Sequence, residues 1–215
     1  MSTFFPQHCK CYICGGKNEY TVIGSTNAFG ACDLDMRPPE MQRSTMPFWV
    51  QKCPDCGYVS DSVEDPSSVT REYLNSHAYK TCCGIAFRSN LAAVFYKQHL
   101  INSRDCDNRS AAFALLHAAW ACDDEHDGKN AELCRLEMLP ILTEVIEKAL
   151  DDRDDLYLLK ADVMRRASLF DQLIEQYSEA SFSKVLYNQI AAFQIMLAEK
   201  RDSSVYTVAD VPTKD

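Results

Sequence analysis

The sequence has little glycine and little positive charge for its length. Only seven of its 215 residues are glycine, and 22 lysines and arginines stand against 31 aspartates and glutamates, which gives a net charge of -9. Residues 1–65 carry five basic and eight acidic residues, and residues 66–215 carry seventeen and twenty-three. Nucleic acids and anionic membrane surfaces select basic patches, so both are disfavoured as partners of either half.

Long apolar runs are also missing. The first twenty residues have neither the basic start nor the continuous apolar stretch of a signal peptide, and no later segment approaches eighteen uncharged apolar residues. We therefore expect a soluble, cytoplasmic protein. In such a reducing compartment, its eleven cysteines are expected to bind metal, to react or to be buried rather than to form disulfides.

Cysteine and glycine are concentrated in the first 57 residues of the chain, which hold six of the eleven cysteines and five of the seven glycines. This break in composition predicts a small first domain over residues 1–65. Its β-branched and aromatic runs at residues 20–23 and 48–50 predict short strands. Asp65 is predicted to cap a helix that begins at Pro66.

Apolar residues recur at helical spacing over residues 66–202, which predicts a mainly α-helical second domain. The predicted helices lie near residues 87–101, 113–120, 130–150, 156–167, 170–177 and 184–200. Pro140 is expected to kink or split the third of them. Consecutive helices look paired as hairpins, as in tetratricopeptide repeats, although the spacing is longer and not strictly periodic. Residues 203–215 carry no helical pattern and are predicted to be a loosely held C-terminal tail.

Two copies of one C-x-x-C-G motif point to a metal site. The pairs are Cys11 with Cys14 and Cys53 with Cys56, and each is followed directly by glycine. Two intervening residues place both sulfurs on one side of a tight turn, and the glycine can adopt a positive φ without steric cost. Two such turns supply four thiolates, so we predict one structural zinc ion. The fold class is then α+β, with a zinc-ribbon-like β module before the TPR-like helical hairpins.

The rest of the cysteine pattern leaves alternatives open. The 38 residues between the two motifs exceed the usual spacing and require an inserted loop. Cys9 could replace Cys11 as a ligand, His8 is a weaker candidate, and Cys32 lies in the loop near the expected metal. A closed shell of four cysteines has no open coordination position, so its expected role is structural rather than catalytic.

Other polar residues offer weaker functional signals. The loop residues Asp33, Asp35 and Arg37 could be presented to a partner, although hydrogen bonds to turn amides and a surface ion pair explain them slightly better. A second metal cluster is conceivable among four residues of the helical region: His117, Cys122, His126 and Cys134. No nucleophile elbow, phosphate-binding glycine loop or H-E-x-x-H motif occurs, and no catalytic or cofactor-binding residue is predicted.

The order of these motifs resembles an uncharacterised bacterial family, a domain of unknown function. The similarity is carried by the N-terminal CxxCG, the loop sequence DLDMRP, the stretch WVQKCPDCGY and the helices that follow, including AAWAC at residues 118–122. The first motif reads CYIC, where the family pattern has proline after the first cysteine. The resemblance implies a zinc-ribbon-like start and a TPR-like remainder, and it brings no activity.

Three functions remain open from the sequence. The favoured one is a non-enzymatic adaptor that binds a protein or peptide in a groove of its helices. The second is a zinc-linked thiol redox sensor that uses Cys9 or the pair Cys82 and Cys83. The third is an enzyme with its site in the helical domain, involving His99, His117 or His126. The partner and the oligomeric state are not predicted.

Overall fold

Two hairpins that end in cysteine turns dominate the N-terminal part of the fold. The computed structural model describes residues 1–212. The strands are β1 (Thr3–Lys10), β2 (Lys17–Ser25), β3 (Ala28–Phe29), β4 (Glu40–Met41), β5 (Gln51–Lys52) and β6 (Val59–Ser60). They form three separate antiparallel pairs, β1 with β2, β3 with β4 and β5 with β6. The first and third pairs carry the two C-x-x-C-G motifs in their turns.

Helices form the remainder of the described chain, with short 3-10 segments at Arg43–Phe48, Cys82–Gly84 and Val208–Asp210. The α-helices are α1 (Arg71–Asn75), α2 (His77–Lys80), α3 (Asn90–Arg104), α4 (Asn108–Asp124), α5 (Gly128–Lys148), α6 (Arg153–Arg166), α7 (Phe170–Tyr177) and α8 (Val185–Glu199). The predicted α+β class with a helical C-terminal region is confirmed: 52% of the residues are helical and 13% lie in strands. The closer likeness to tetratricopeptide repeats stays a prediction.

The helices pack in chain order, α3 on α4, α4 on α5 and α5 on α6, while α8 packs on both α6 and α7. Small residues of α4 allow the close approach, since Ala112, Ala118 and Ala119 are fully buried. Pro140 does not split α5, which continues through it. Packing against α4 and α6 outweighs the single backbone hydrogen bond that a proline removes. Within residues 1–212, no helix has the length and apolar character needed to cross a bilayer.

The strand predicted at residues 48–50 is wrong. The chain there leaves a 3-10 segment, Arg43–Phe48, that contains Pro47, and the backbone N–H of Trp49 donates to the carbonyl of Met46. The Thr45 hydroxyl donates to the carbonyl of Gln42 and accepts from the Trp49 indole N–H. These local bonds compete with strand pairing. Of the three residues only Val50 is buried, so the aromatic and β-branched composition of this segment did not decide its backbone conformation.

The helix predicted to begin at Pro66 is also wrong. The first helix, α1, begins at Arg71, where the Thr70 hydroxyl accepts the Tyr73 amide at 3.3 Å. Asp65 instead closes the turn after β6, because its carboxylate accepts the Ser60 hydroxyl and the Ser62 amide, each at 2.9 Å. An aspartate before proline is typical of a turn as well as of a helix start. Here the hydrogen bonds from Ser60 and Ser62 to Asp65 favour the turn.

One apolar cluster extends across the predicted boundary at residue 65. Buried residues of the cysteine hairpins, among them Val50 and Val59, belong to the same cluster as Phe95 of α3 and Leu115 of α4. The segment predicted as a tail also makes contacts where it is described. Thr207 bridges Asp33, and the side chain of Val211 is buried. Residues 213–215 lie outside the described part of the chain.

Candidate metal centre

The two cysteine motifs form matching turns. In the first, the amide of Gly15 donates to the carbonyl of Cys11 at 2.8 Å, and in the second the amide of Gly57 donates to the carbonyl of Cys53 at 2.9 Å. Both glycines have positive φ, 74° and 78°, in the left-handed region where only glycine is free of strain. The predicted use of these glycines is therefore seen in both turns.

The structure brings together the four cysteines that the sequence selects. The Cys11 and Cys56 sulfurs lie 3.7 Å apart, the Cys14 and Cys53 sulfurs lie 3.6 Å apart, and all four sulfurs fall within 4.8 Å of one another. With metal–sulfur bonds of about 2.3 Å, a regular tetrahedron has sulfur–sulfur edges of about 3.8 Å. The spacing of these sulfurs fits one tetrahedral ion, so the four cysteines could hold a metal.

Proton affinity differs among these thiols. Burial raises the pKa of Cys11 and of Cys56 above the ordinary thiol value. Burial also acts to raise the pKa of Cys14, but the Gly16 amide and the neighbouring thiols donate to its sulfur, and the pKa falls to about 7. Because thiolates are the metal ligands, an ion bound here must displace protons from the buried cysteines.

Tyr20 adds an independent observation beside this cluster. Its hydroxyl is buried and has no hydrogen-bond partner within residues 1–212. Burial raises the pKa of Tyr20 to about 12, and the nearby Cys53 and Cys11 add to this effect when they are ionised. A buried O–H group without an acceptor is costly. Metal binding would convert the adjacent thiols to thiolates and so place negatively charged sulfur near this donor, which fits the donor set of a metal site.

The other candidate ligands lie apart from this group. Cys9 is buried without joining the four sulfurs, Cys32 is half-buried in the loop, and His8 is exposed on β1 beside Glu19. Cys82 is buried next to an exposed Cys83. Among residues 1–212, the four cysteines are the only set of three or more potential ligands close enough to share an ion.

The histidines of the helical region have separate environments. The Nδ1 atom of His99 lies 3.1 Å from the carbonyl oxygen of Ala111. His117 packs among aromatic rings, with ring centroids 5.3 Å from Trp49 and 5.0 Å from Trp120. His126 has a positive φ just after α4. The structure does not gather His117 and His126 with Cys122 and Cys134 into a second metal cluster within its described residues.

The loop residues singled out in the sequence are buried, and the interpretation slightly favoured for them holds in part. The Asp35 carboxylate accepts the turn amide of Arg37 at 3.2 Å, as predicted, but the ion pair of Arg37 does not lie on the surface. Asp35 is 1% exposed, and its carboxylate accepts the indole N–H of Trp120 at 2.7 Å and the Arg166 guanidinium at 3.1 Å. The Arg37 guanidinium is paired with Asp124 at 2.6 Å. This loop therefore joins the cysteine hairpins to α4 and α6.

Beneath the loop lies a network of charges that the sequence reasoning missed. Asp123 accepts the Arg135 guanidinium at 2.5 Å and the Arg166 guanidinium at 2.9 Å. Both arginine side chains are nearly inaccessible to solvent, at 2% and 7% exposure. Burial raises the pKa of Asp35, and Asp162 adds to this effect, while Arg166 and Arg135 oppose it. We call Asp35, Asp123, Arg135 and Arg166 the buried ion network.

The sequence did contain a signal for this network. The run DDEHDGKN after Trp120 reads as a solvated loop, yet Asp123 and Asp124 are still in the last turn of α4. In α6, nine of the residues are buried, and Lys160, Asp162 and Arg165 are among them. Charged residues inside a helix that is buried on most sides require partners of opposite charge. The sequence does not show that those partners lie in the loop.

Comparison with known proteins adds nothing to this description. No family model, curated protein or solved structure matches the chain. The resemblance to a bacterial family of unknown function thus stays a prediction, and the four-cysteine cluster is consistent with its zinc-ribbon-like start.

Proposed function

We propose that the protein binds one zinc ion through Cys11, Cys14, Cys53 and Cys56, and that the ion has a structural role. The tetrahedral spacing of the four sulfurs carries this proposal. Four thiolates favour zinc over the hard cations magnesium and calcium, and they leave no position for water or substrate. The metal then fixes the two turns against each other rather than taking part in a reaction.

Metal analysis of three variants tests the proposed ligands. We expect one zinc per chain in the wild-type protein and its loss in Cys14→Ser and in Cys56→Ser, because each change removes one of four thiolates. Cys9→Ser is the matched control, since this buried cysteine belongs to the same hairpin but not to the sulfur group. Elemental analysis of the purified proteins gives the stoichiometry. Zinc retained in full by either ligand variant, or lost from Cys9→Ser, would contradict the assignment.

We further propose that the loop between β3 and β4 and the helices form an adaptor surface for a protein or peptide partner. A cavity of about 310 Å³ lies between the loop, α6 and α8. Its walls include Leu158 and Ile190, and its rim carries Met36 and Leu186, which are 45% and 42% exposed. An apolar cavity with exposed apolar residues at its rim is typical of a surface that accepts an apolar side chain of a partner.

A pair of equally exposed leucines tests the adaptor role. We expect Leu186→Glu to reduce the amount of partner protein captured from the native host at least tenfold, because a carboxylate at the rim of the cavity opposes binding of an apolar side chain. Leu136→Glu on α5 is the control, since Leu136 is 43% exposed and does not line the cavity. Affinity capture with quantitative mass spectrometry measures the ratio. The absence of any reproducible partner, or an equal effect of both variants, would count against the proposal.

A further inference from the structure

A second cavity, of about 410 Å³, lies where the loop after β3 meets α4. Its lining includes Trp49, Phe113, His117 and Trp120, together with Pro38 and Gln42. We call it the aromatic cleft. Its size is within the range of small-molecule sites, which occur preferentially where two parts of a fold meet. The chain contains two tryptophans, and both line this cleft.

His117 is the unusual member of the lining. Its ring lies among three aromatic rings, with centroid separations of 5.3 Å to Trp49, 5.1 Å to Phe95 and 5.0 Å to Trp120. Neither ring nitrogen makes a hydrogen bond to the protein within residues 1–212. Burial lowers the pKa of His117 to about 4, so the imidazole is neutral near pH 7, with one N–H donor and one acceptor.

The other polar groups of the cleft limit what can bind. The indole N–H groups of Trp49 and Trp120 are already used, on Thr45 and Asp35. The side chain of Gln42 is exposed and makes no hydrogen bond to the described protein, so its amide is free to donate or accept. No lysine, arginine, aspartate or glutamate lines the cleft. The Arg37 guanidinium lies 5.8 Å from the centre of the Trp120 ring, but it is already paired with Asp124. A charged ligand would therefore find no free counterion in the cleft.

We propose that the aromatic cleft binds an uncharged, planar heteroaromatic ring that carries both a hydrogen-bond donor and an acceptor, of the size of a purine base. The aromatic side chains of the cleft provide stacking and edge contacts for such a ring. Stacking of this kind suits any heteroaromatic base, because every base has a π face. The His117 imidazole and the Gln42 amide supply the complementary polar groups. The aromatic cleft adjoins the cavity of the proposed adaptor surface, because Cys32 and Met36 line both, but the proposal does not depend on that role.

Titration of the 215-residue, metal-loaded protein with adenine tests this proposal. We expect a saturable change in tryptophan emission excited at 295 nm, because both tryptophans line the cleft. His117→Phe keeps an aromatic ring but removes both nitrogens, and we expect at least tenfold weaker binding, since the hydrogen bonds of the ligand to the half-buried imidazole are lost. The control is His77→Phe, which makes the same change at an exposed histidine of α2 outside the cleft. Gln42→Ala, at an exposed position, keeps the test valid if His117→Phe misfolds, and we expect at least threefold weaker binding.

Two further ligands separate this proposal from its alternatives. Adenosine monophosphate should bind more weakly than adenine, because its phosphate meets no cation in the cleft and the chain carries a net charge of -9. Toluene should bind at least tenfold more weakly, because it lacks hydrogen-bonding atoms. The proposal is overturned if adenine gives no saturable signal, if the phosphate strengthens binding, if toluene binds as well as adenine, or if His77→Phe weakens adenine binding as much as the cleft variants do.

Discussion

Removal of the proposed zinc ion from Cys11, Cys14, Cys53 and Cys56 is expected to lower the free energy of unfolding by about 10 kcal/mol, the typical contribution of a structural zinc ion. That amount is comparable to the whole stability of an ordinary domain. The β5 and β6 strands have two residues each, so they cannot hold the second cysteine turn by pairing alone. Without the ion, the two turns should separate and the hairpins should unfold.

Hydrogen exchange on the chelator-treated protein measures this loss region by region. We expect amides of residues 51–60 to lose their protection, because they depend on the sulfur cluster. The internal control is α7, whose Phe170 and Leu173 belong to a different apolar cluster from that of the cysteine hairpins. If residues 51–60 stay protected after the metal has been shown to be gone, the ion does not hold the fold. An equal loss of amide protection in α7 would show that the whole fold, and not only the cysteine hairpins, depends on the ion.

The second large effect is expected at the buried ion network. Asp35→Ala should lower the free energy of unfolding by about 3 to 5 kcal/mol, the cost of breaking a buried ion pair on one side. The change leaves the Trp120 indole N–H without its acceptor and removes one of the two carboxylates that contact Arg166. Denaturant unfolding of the metal-loaded protein measures the difference, provided that the slope of the transition is unchanged.

Two matched variants show whether burial is the cause. Asp35→Asn keeps an oxygen for the Trp120 N–H and should cost less than Asp35→Ala. Asp171→Ala breaks the exposed ion pair between Asp171 and Arg201, whose side chains are 78% and 60% exposed, respectively. This change should alter the free energy of unfolding by less than about 1 kcal/mol. A result for Asp35→Ala as small as that for Asp171→Ala would contradict the structural role assigned to the network.

The elements that the sequence predicts well are those with a local cause. The helix at Phe170–Tyr177 agrees with its predicted range, and α8 differs from its predicted range by one residue at each end. Apolar spacing within one segment determines these helices. The two cysteine turns are equally local, because the C-x-x-C spacing and the following glycine specify each turn on its own. Repetition of the motif then predicted that the sulfurs of both turns would meet.

The features that were missed lack a signal in their own segment of the sequence. Thr3–Lys10 is a strand with most of its residues exposed, so its sequence has no alternation of apolar and polar residues that would predict it. Asp35 and Arg37 look like solvated loop residues because their partners Trp120, Asp124 and Arg166 are remote in sequence. The sequence shows that these charged residues are present, but their structural role depends on burial and on partners that only the fold brings close.

The loop between β3 and β4 contacts residues far along the chain, and this affects the expected order of folding. Cys11 and Cys56, the outermost of the four cysteines, are 45 residues apart, whereas Asp35 and Arg166 are 131 apart. Contacts of large sequence separation close late, because the entropy of the intervening chain opposes them. During synthesis, the two cysteine hairpins can therefore come together, around the proposed ion, before α6 has been made. The contact between the loop and Arg166 is therefore expected to form after the cysteine cluster.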